Sequence, residues 1–381
     1  MNFRKTITKF LDKLNPKRCY IRNVYQSEHK KSVLVSYLTL PFLTGQNGPS
    51  HTSSAESKEI AKAFDDLGFR VDIIRYDYPI DQINFGNREY DLVFGLEPNF
   101  LKAVNKFNPK KSIYYATGAY CGFQNMAEVK RLEELKKRRG KLLTRRRVVE
   151  NHNSSDLADG VISIGNDWTK STYSGHAKKI ENIRVSAFSN FSLPEIEANK
   201  NWPKSKLSFL WFGSVGAVHK GLDLLLEIFP KHKNLDLYIC GAVEKEKDFV
   251  ELYQKELKSP NIHLVGWTSP SSAQFKKIME TCAFTILPSC SEGMSSSIAT
   301  CMYAGLIPLV SRETGVDINN SGAIFADNSI KTIEKTILSF SKLSASEIKK
   351  QSTESYNFAL DNFSLGTFAS DFQSKLKKLL K

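Results

Sequence analysis

Residues 284–310 constrain this chain most. They run Phe284-Thr-Ile-Leu287, then Pro-Ser-Cys-Ser-Glu292-Gly293-Met294, then Ser295-Ser-Ser-Ile-Ala-Thr300-Cys-Met-Tyr-Ala304, and close with Gly305-Leu-Ile-Pro-Leu-Val310. Two short, uninterrupted apolar runs bracket a polar turn and a helix-compatible stretch that Gly305 stops. Runs without polar alternation read as strands covered on both faces, and a helix between two of them makes a parallel β-α-β unit. The same alternation recurs along the chain. Strands are expected near 32–38, 69–75, 91–94, 112–116 and 160–164, and again at 207–212, 235–240 and 262–265. A helix over about 54–67 is expected after the first strand, with Ser53 and Glu56 as a capping box and Gly68 as its stop. The stretch 189–206 breaks the pattern: it is polar and holds Pro194 and Pro203. At 381 residues the chain is long enough for two cores. The expectation is an α/β protein of two Rossmann-like, doubly wound domains facing a cleft: residues 1–190, a linker 191–206, a second domain 207–343 and helices over 344–381. Ligands of such sheets lie outside the carboxyl ends of the strands.

The bulk numbers exclude several classes. A composition 41% hydrophobic and 25% charged is that of a globular protein. No apolar run approaches the roughly 20 residues of a membrane span, and Lys5, Lys9, Asp12 and Lys13 interrupt any leader-like start. The six cysteines form no CxxC pair and have no zinc-type histidine spacing, so buried free thiols in a reducing cytosol are expected. The charge is uneven. Residues 1–150 carry 28 Lys and Arg against 16 Asp and Glu, so +12 of the net +14 lies there. Such a surface attracts an anionic partner. The densest run, Lys130 to Arg147, reads as a solvated helix face or as a surface for anionic lipid or a pyrophosphate-bearing acceptor. Phe3, Ile7, Phe10, Leu11 and Leu14 fall at helical spacing among cations, which suits a helix lying on a membrane or packed on the protein.

Four loops carry residue types with chemistry. Ser295, Ser296 and Ser297 stand where a helix begins, and no acid follows in its first turn. Free amides and the positive end of the dipole are therefore left open to phosphate oxygens. Gly293 and Met294 lead into that helix. Glu292 suits hydrogen bonds to sugar hydroxyls, or is simply a solvated loop acid. The second loop, Gly213-Ser214 to His219-Lys220-Gly221, puts a lysine just before a helix, an unfavourable place unless an anion is near. His219 is either a ligand contact or a surface histidine. The third, Thr44 to His51, follows the first strand; Gly45 and Gly48 suit close approach to a ligand, and His51 suits a polar contact or a base. The fourth, Tyr114 to Asn125, includes Thr117 at a strand end and aromatics that either stack on sugars or pack in the core. No GxGxxG, P-loop, HExxH, Asp-x-Asp or RNA-reading motif is present.

Two of these elements, in this order, resemble the retaining GT-B glycosyltransferases often called group 1 or GT4. Leu210-Trp-Phe-Gly-Ser…Lys220-Gly-Leu-Asp resembles the family's strand–loop–Lys-Gly–helix element. Leu287-Pro-Ser-Cys-Ser-Glu-Gly-Met…Met302-Tyr-Ala-Gly-Leu-Ile-Pro-Leu-Val resembles its Glu-Gly loop and the element after it. The final helices are similar to the segment that returns to the first domain. The resemblance implies that Lys220 contacts the donor diphosphate and Glu292 the donor sugar. It also implies that Gly213, Ser214, His219 and Gly293 to Ser296 hold the donor, with no metal or other cofactor. Gly45, Gly48, His51 and Thr117 would face the acceptor or the cleft. Two departures stand out. Thr300 occupies the place of a second glutamate that grips the ribose, and residues 214–218 lack the arginine usual before the lysine.

The expected function is therefore transfer of a sugar from a nucleotide sugar to a surface glycan or lipid-linked acceptor. The expected place is the cytoplasm, peripheral on the inner face of the membrane, with no nucleic acid as partner. The alternatives are a nucleotide-sugar epimerase of the same fold and a non-catalytic scaffold on a polyanion or membrane surface.

Overall fold

The computed structural model describes residues 18–43, 52–187 and 190–381. The amphipathic run at the amino terminus and the loop with Gly45, Gly48 and His51 lie outside them.

The strands of the first half are β1 (Tyr20–Ile21), β2 (Lys31–Tyr37), β3 (Phe69–Arg75), β4 (Leu92–Gly95), β5 (Lys111–Ala116), β6 (Gly160–Ile164) and β7 (Ile180–Ile183). Among the described residues they form one sheet in the order β1-β3-β2-β4-β5-β6-β7. All pairings are parallel except that of β1 with β3. The second sheet holds β8 (Ser208–Phe212), β9 (Asp236–Cys240), β10 (Ile262–Gly266), β11 (Phe284–Leu287), β12 (Ile307–Val310) and β13 (Ala323–Ile324). It is wholly parallel, in the order β10-β9-β8-β11-β12-β13. Counted within its own domain this is the 3-2-1-4-5-6 order of a doubly wound sheet, whose switch point falls between β8 and β11.

The helices that matter here are α1 (Thr52–Asp66), α2 (Cys121–Arg139), α3 (Leu222–Ile228), α4 (Ser296–Tyr303), α5 (Ala345–Asn362) and α6 (Leu365–Leu380). The helix expected after the first strand is present, and Glu56 in its first turns has long-range partners. It is buried and accepts from Ser186 N (2.7 Å) and Ser186 Oγ (2.8 Å). The stretch 191–206 forms two short helices, Leu193–Glu197 and Trp202–Ser205, and is no free spacer. Ile196 there sits in the apolar cluster of the second domain with Leu210, Phe275 and Cys301.

The chain end crosses back. Helix α5 packs on α4 and β12 of the second domain, whereas α6 packs on α1, β6 and β7 of the first. Phe372 of α6 meets the rings of Phe64, Phe94 and Tyr115 at 5.6 to 6.5 Å between centroids. Tyr114 and Tyr115 are buried in the core and take no part in the cleft. All six cysteines are free and buried. Among the described residues no helix is long and apolar enough to cross a membrane.

The basic run does not present a bare surface. It is a strap across the domains. Arg131 donates to Pro288 O (3.2 Å). Arg138 pairs with the fully buried Asp223 and with Glu227. Arg139 pairs with Glu256 at 2.8 Å and lies over Tyr253. Lys141 meets Glu251, Arg146 meets Asp248, and Thr144 N donates to Asp248. These carboxylates belong to the second domain, so much of the N-terminal excess charge is neutralised within the molecule. Lys130, Lys136 and Lys137 stay exposed.

Candidate active site

The switch point brings the loops after β8 and β11 side by side, and cross-links extend the sheet beyond its strands. Cys290 N donates to His219 O at 2.9 Å. His219 Nε2 bonds Ser291 O, and since a carbonyl only accepts, the proton is on Nε2. Lys220 Nζ pairs with Glu292 Oε1, which also accepts from Ser289 Oγ at 2.9 Å. The loop after β8 is held from below as well. Trp211 Nε1 donates to Lys220 O (3.1 Å), and buried Glu246 accepts from Gly216 N (2.6 Å) and Ala217 N. At Gly221, with φ +71°, a Cβ would stand 2.3 Å from Pro288 O, so the two loops meet only because this residue has no side chain.

Lys220 and Glu292 are both nearly buried. Burial acts to raise the Glu292 carboxyl, but Lys220, then His219 and Arg147, outweigh it and hold it down at about 2. His219 is driven the other way. Burial lowers its imidazole to about 4, so it is neutral near pH 7. The anion that a lysine at a helix start requires is thus supplied within the protein by Glu292.

Helix α4 starts as its sequence suggests. Ser295 is the N-cap residue, no side chain caps the first turn, no acid lies in it, and Ser295 Oγ and Ser297 Oγ bond each other at 3.0 Å. The head of α4 opens on a cleft of about 760 Å³. Gly213, Ser214, Lys220, Glu292, Met294, Ser295, Ser296, Ser297 and Thr300 line it from the second domain, with Phe212, Lys245 and Trp267. Thr52 and Arg147 line it from the first. Trp267 is 72% exposed, an apolar plate at the rim.

Three expected residues lie elsewhere. His219 does not line the cleft; it is packed behind the loop, with Nδ1 buried and unbonded. Gly293 does not meet open space. A Cβ there would lie 2.7 Å from Thr117 O and 2.8 Å from Ile164 O, and Gly293 O accepts from Thr169 Oγ1 at 2.6 Å. Its small size serves the contact between domains at the ends of β5 and β6. Thr117 is exposed and outside the lining of the cleft. Arg147, Trp211 and Glu246 were not singled out from sequence. Arg147 was visible only as one cation in a run of them.

The fold and the cleft define a two-domain α/β protein with its polar site at the switch point of the C-terminal sheet. Residues 194–357 match the family model described as glycosyl transferases group 1. No curated protein matches the sequence. Among solved structures the chain is similar to sucrose-phosphate synthase from Thermosynechococcus elongatus (TM-score 0.64, 12% identity, 92% of this chain and 99% of that one). It is similar to HepE from Anabaena in complex with UDP and glucose (0.58, 12%, 92% and 100%) and to a glycosyltransferase from Rickettsia africae (0.58, 15%, 93% and 100%). The architecture is GT-B.

Proposed function

We propose that this protein transfers a sugar from a nucleotide-sugar donor to a hydroxyl of a surface glycan or lipid-linked acceptor, with retention and without a metal cofactor. One observation carries the reading. Lys220 and the uncapped head of α4 converge on one cleft at the switch point, and the first domain forms its other wall. The volume suits a ligand of nucleotide-sugar size. HepE, of the same fold, holds UDP and glucose.

In this reading the diphosphate sits at the head of α4, where amides and dipole favour negative charge. Lys220 has three N–H donors, so it binds a phosphate oxygen while keeping Glu292. Glu292, ionised throughout the working pH range, accepts from hydroxyls of the donor sugar. The bond from the anomeric carbon to the diphosphate breaks with its electron pair leaving on the phosphate oxygen. The acceptor oxygen attacks from the same face, and its proton passes to the departing phosphate. Charge neutralisation of that leaving group is the main contribution of the protein. Thr300 offers the ribose one hydroxyl where a carboxylate would accept two bonds, so nucleotide affinity is modest.

The test is a donor panel incubated with membrane extract, read by mass spectrometry of the products and by nucleoside diphosphate release. Wild type transfers sugar to an acceptor, and the activity survives EDTA. Lys220→Ala and Glu292→Gln lose most of it while remaining folded. Conversion of donor without acceptor would instead mark an epimerase. Docking on an anionic membrane through Lys130, Lys136 and Lys137 belongs to the same reading. Co-sedimentation of the triple alanine variant with anionic vesicles should be weaker than that of wild type, and equal binding would remove this part.

A further inference from the structure

The loop between β8 and α3 has no arginine between Ser214 and Val218, yet a guanidinium stands in the cleft all the same. Arg147 belongs to the first domain and follows α2 by a short segment without regular secondary structure. It lines the cleft together with Lys220 and Glu292. Its stem lies on the loop after β8: a Cβ at Gly216 would stand 2.6 Å from Arg147 Cγ and 3.1 Å from Cδ. Arg147 Nε is buried and has no hydrogen-bond partner among the described residues.

The backbone around Arg147 is fixed. Buried Glu128 of α2 accepts from Arg147 N (2.7 Å) and Arg146 N (2.9 Å), and Gln124 Nε2 donates to Arg147 O at 2.7 Å. The neighbouring cations are spent on carboxylates: Arg145 on Glu128 and Arg146 on Asp248. Arg147 differs. Among the described residues no carboxylate lies within ion-pair distance of it, although its charge is felt at both Glu292 and His219. A buried N–H without a partner is costly to keep, and a site that receives an anion is where such a cost is met.

We propose that Arg147 is the second cation of the donor diphosphate site, reaching from the first domain to do what the loop Ser214–Val218 has no arginine to do. The inference rests on the donor reading above. Its consequence is specific to this chain: the diphosphate grip is complete only with both domains in place, so nucleotide binding and domain closure stabilise one another. A planar guanidinium suits two phosphate oxygens at once.

Calorimetry with UDP, GDP and ADP tests it, carrying forward the tightest binder. Arg147→Met keeps the apolar stem on Gly216 and removes the fork; Arg147→Lys keeps the charge; Lys220→Ala serves as the comparator. We expect affinity for that diphosphate to fall about 10- to 100-fold in Arg147→Met and less in Arg147→Lys, with unfolding midpoints unchanged. If Arg147→Met binds within twofold of wild type while Lys220→Ala does not bind, the donor reading stands and this inference falls. If Arg147→Met lowers the midpoint along with the affinity, its role is structural and the inference falls. If wild type binds none of the three, the donor reading falls and takes the inference with it.

Discussion

Replacing Lys220 by alanine should have two separable effects. Lys220 is the largest influence lowering the Glu292 carboxyl against burial. Without it, Glu292 keeps, among the described residues, only Ser289 Oγ as hydrogen-bond donor, with His219, neutral near pH 7, and the more distant Arg147. Breaking one partner out of a buried ion pair costs about 3–5 kcal/mol, because the other charge is left buried. That loss should depend on pH. In Lys220→Ala the folded carboxyl titrates above its unfolded value, so the folded state binds the extra proton, and stability is highest below the unfolded pKa and falls as pH rises. Wild type, with Glu292 at about 2, has the opposite dependence at this residue: its stabilisation is present at neutral pH and is lost only in strong acid. Urea unfolding at pH 5 and pH 8 reads both. The double variant Lys220→Ala/Glu292→Gln has no charge to strand, and should regain most of the stability at pH 8 while staying inactive. The reasoning is refuted if Lys220→Ala is as stable as wild type at pH 8, or if the double variant is no more stable than the single.

Three further outcomes are expected. Glu56 is buried and pairs with no cation among the described residues, and burial pushes its carboxyl up to about 7. From the ordinary carboxyl value of 4.5, at about 1.4 kcal/mol per pH unit, this residue costs about 3 kcal/mol of stability between pH 4.5 and 8. Glu56→Gln keeps an oxygen for Ser186, so its urea midpoint at pH 8 should exceed that of wild type and match it near pH 5. Gly293→Ala pushes a methyl onto Thr117 O and Ile164 O. It should lower the unfolding midpoint by an amount equivalent to about 1–3 kcal/mol and depress transfer. Phe372→Ala removes the ring that ties α6 to Phe64, Phe94 and Tyr115; it should cost about 3–5 kcal/mol and expose the chain end to limited proteolysis.

Much of the second domain was legible in its sequence. Strand 284–287, the helix that follows Ser295, the stop at Gly305 and strand 307–310 stand where the apolar runs and the glycine put them. Buried parallel strands are continuous apolar runs, and such runs survive without tertiary context. The edge strands β1, β7 and β13 were not visible. They are two to four residues long, and Ile180-Glu-Asn-Ile183 is half polar. The lining of the cleft was legible where local chemistry decides it: Lys220, Glu292 and the serine-headed helix. It was not legible where a partner far along the chain decides it. The strap's cations find Asp223, Glu227, Asp248, Glu251 and Glu256 roughly 80–120 residues downstream, and charge pattern alone cannot tell an intramolecular partner from an external one. His219 has a residue type suited to a ligand contact, but the turn after β8 aims it at Ser291 O. Gly293, expected at a ligand, admits the backbone of the other domain.

The claim that organises this account is that the head of α4 and Lys220 form the diphosphate seat. A crystal structure with the tightest-binding nucleoside diphosphate tests it directly. The account predicts phosphate oxygens on the amides of Ser296 and Ser297 and on Lys220 Nζ, with the Arg147 guanidinium facing them from the first domain. A nucleotide seated away from α4, with the Lys220–Glu292 pair untouched, would contradict it.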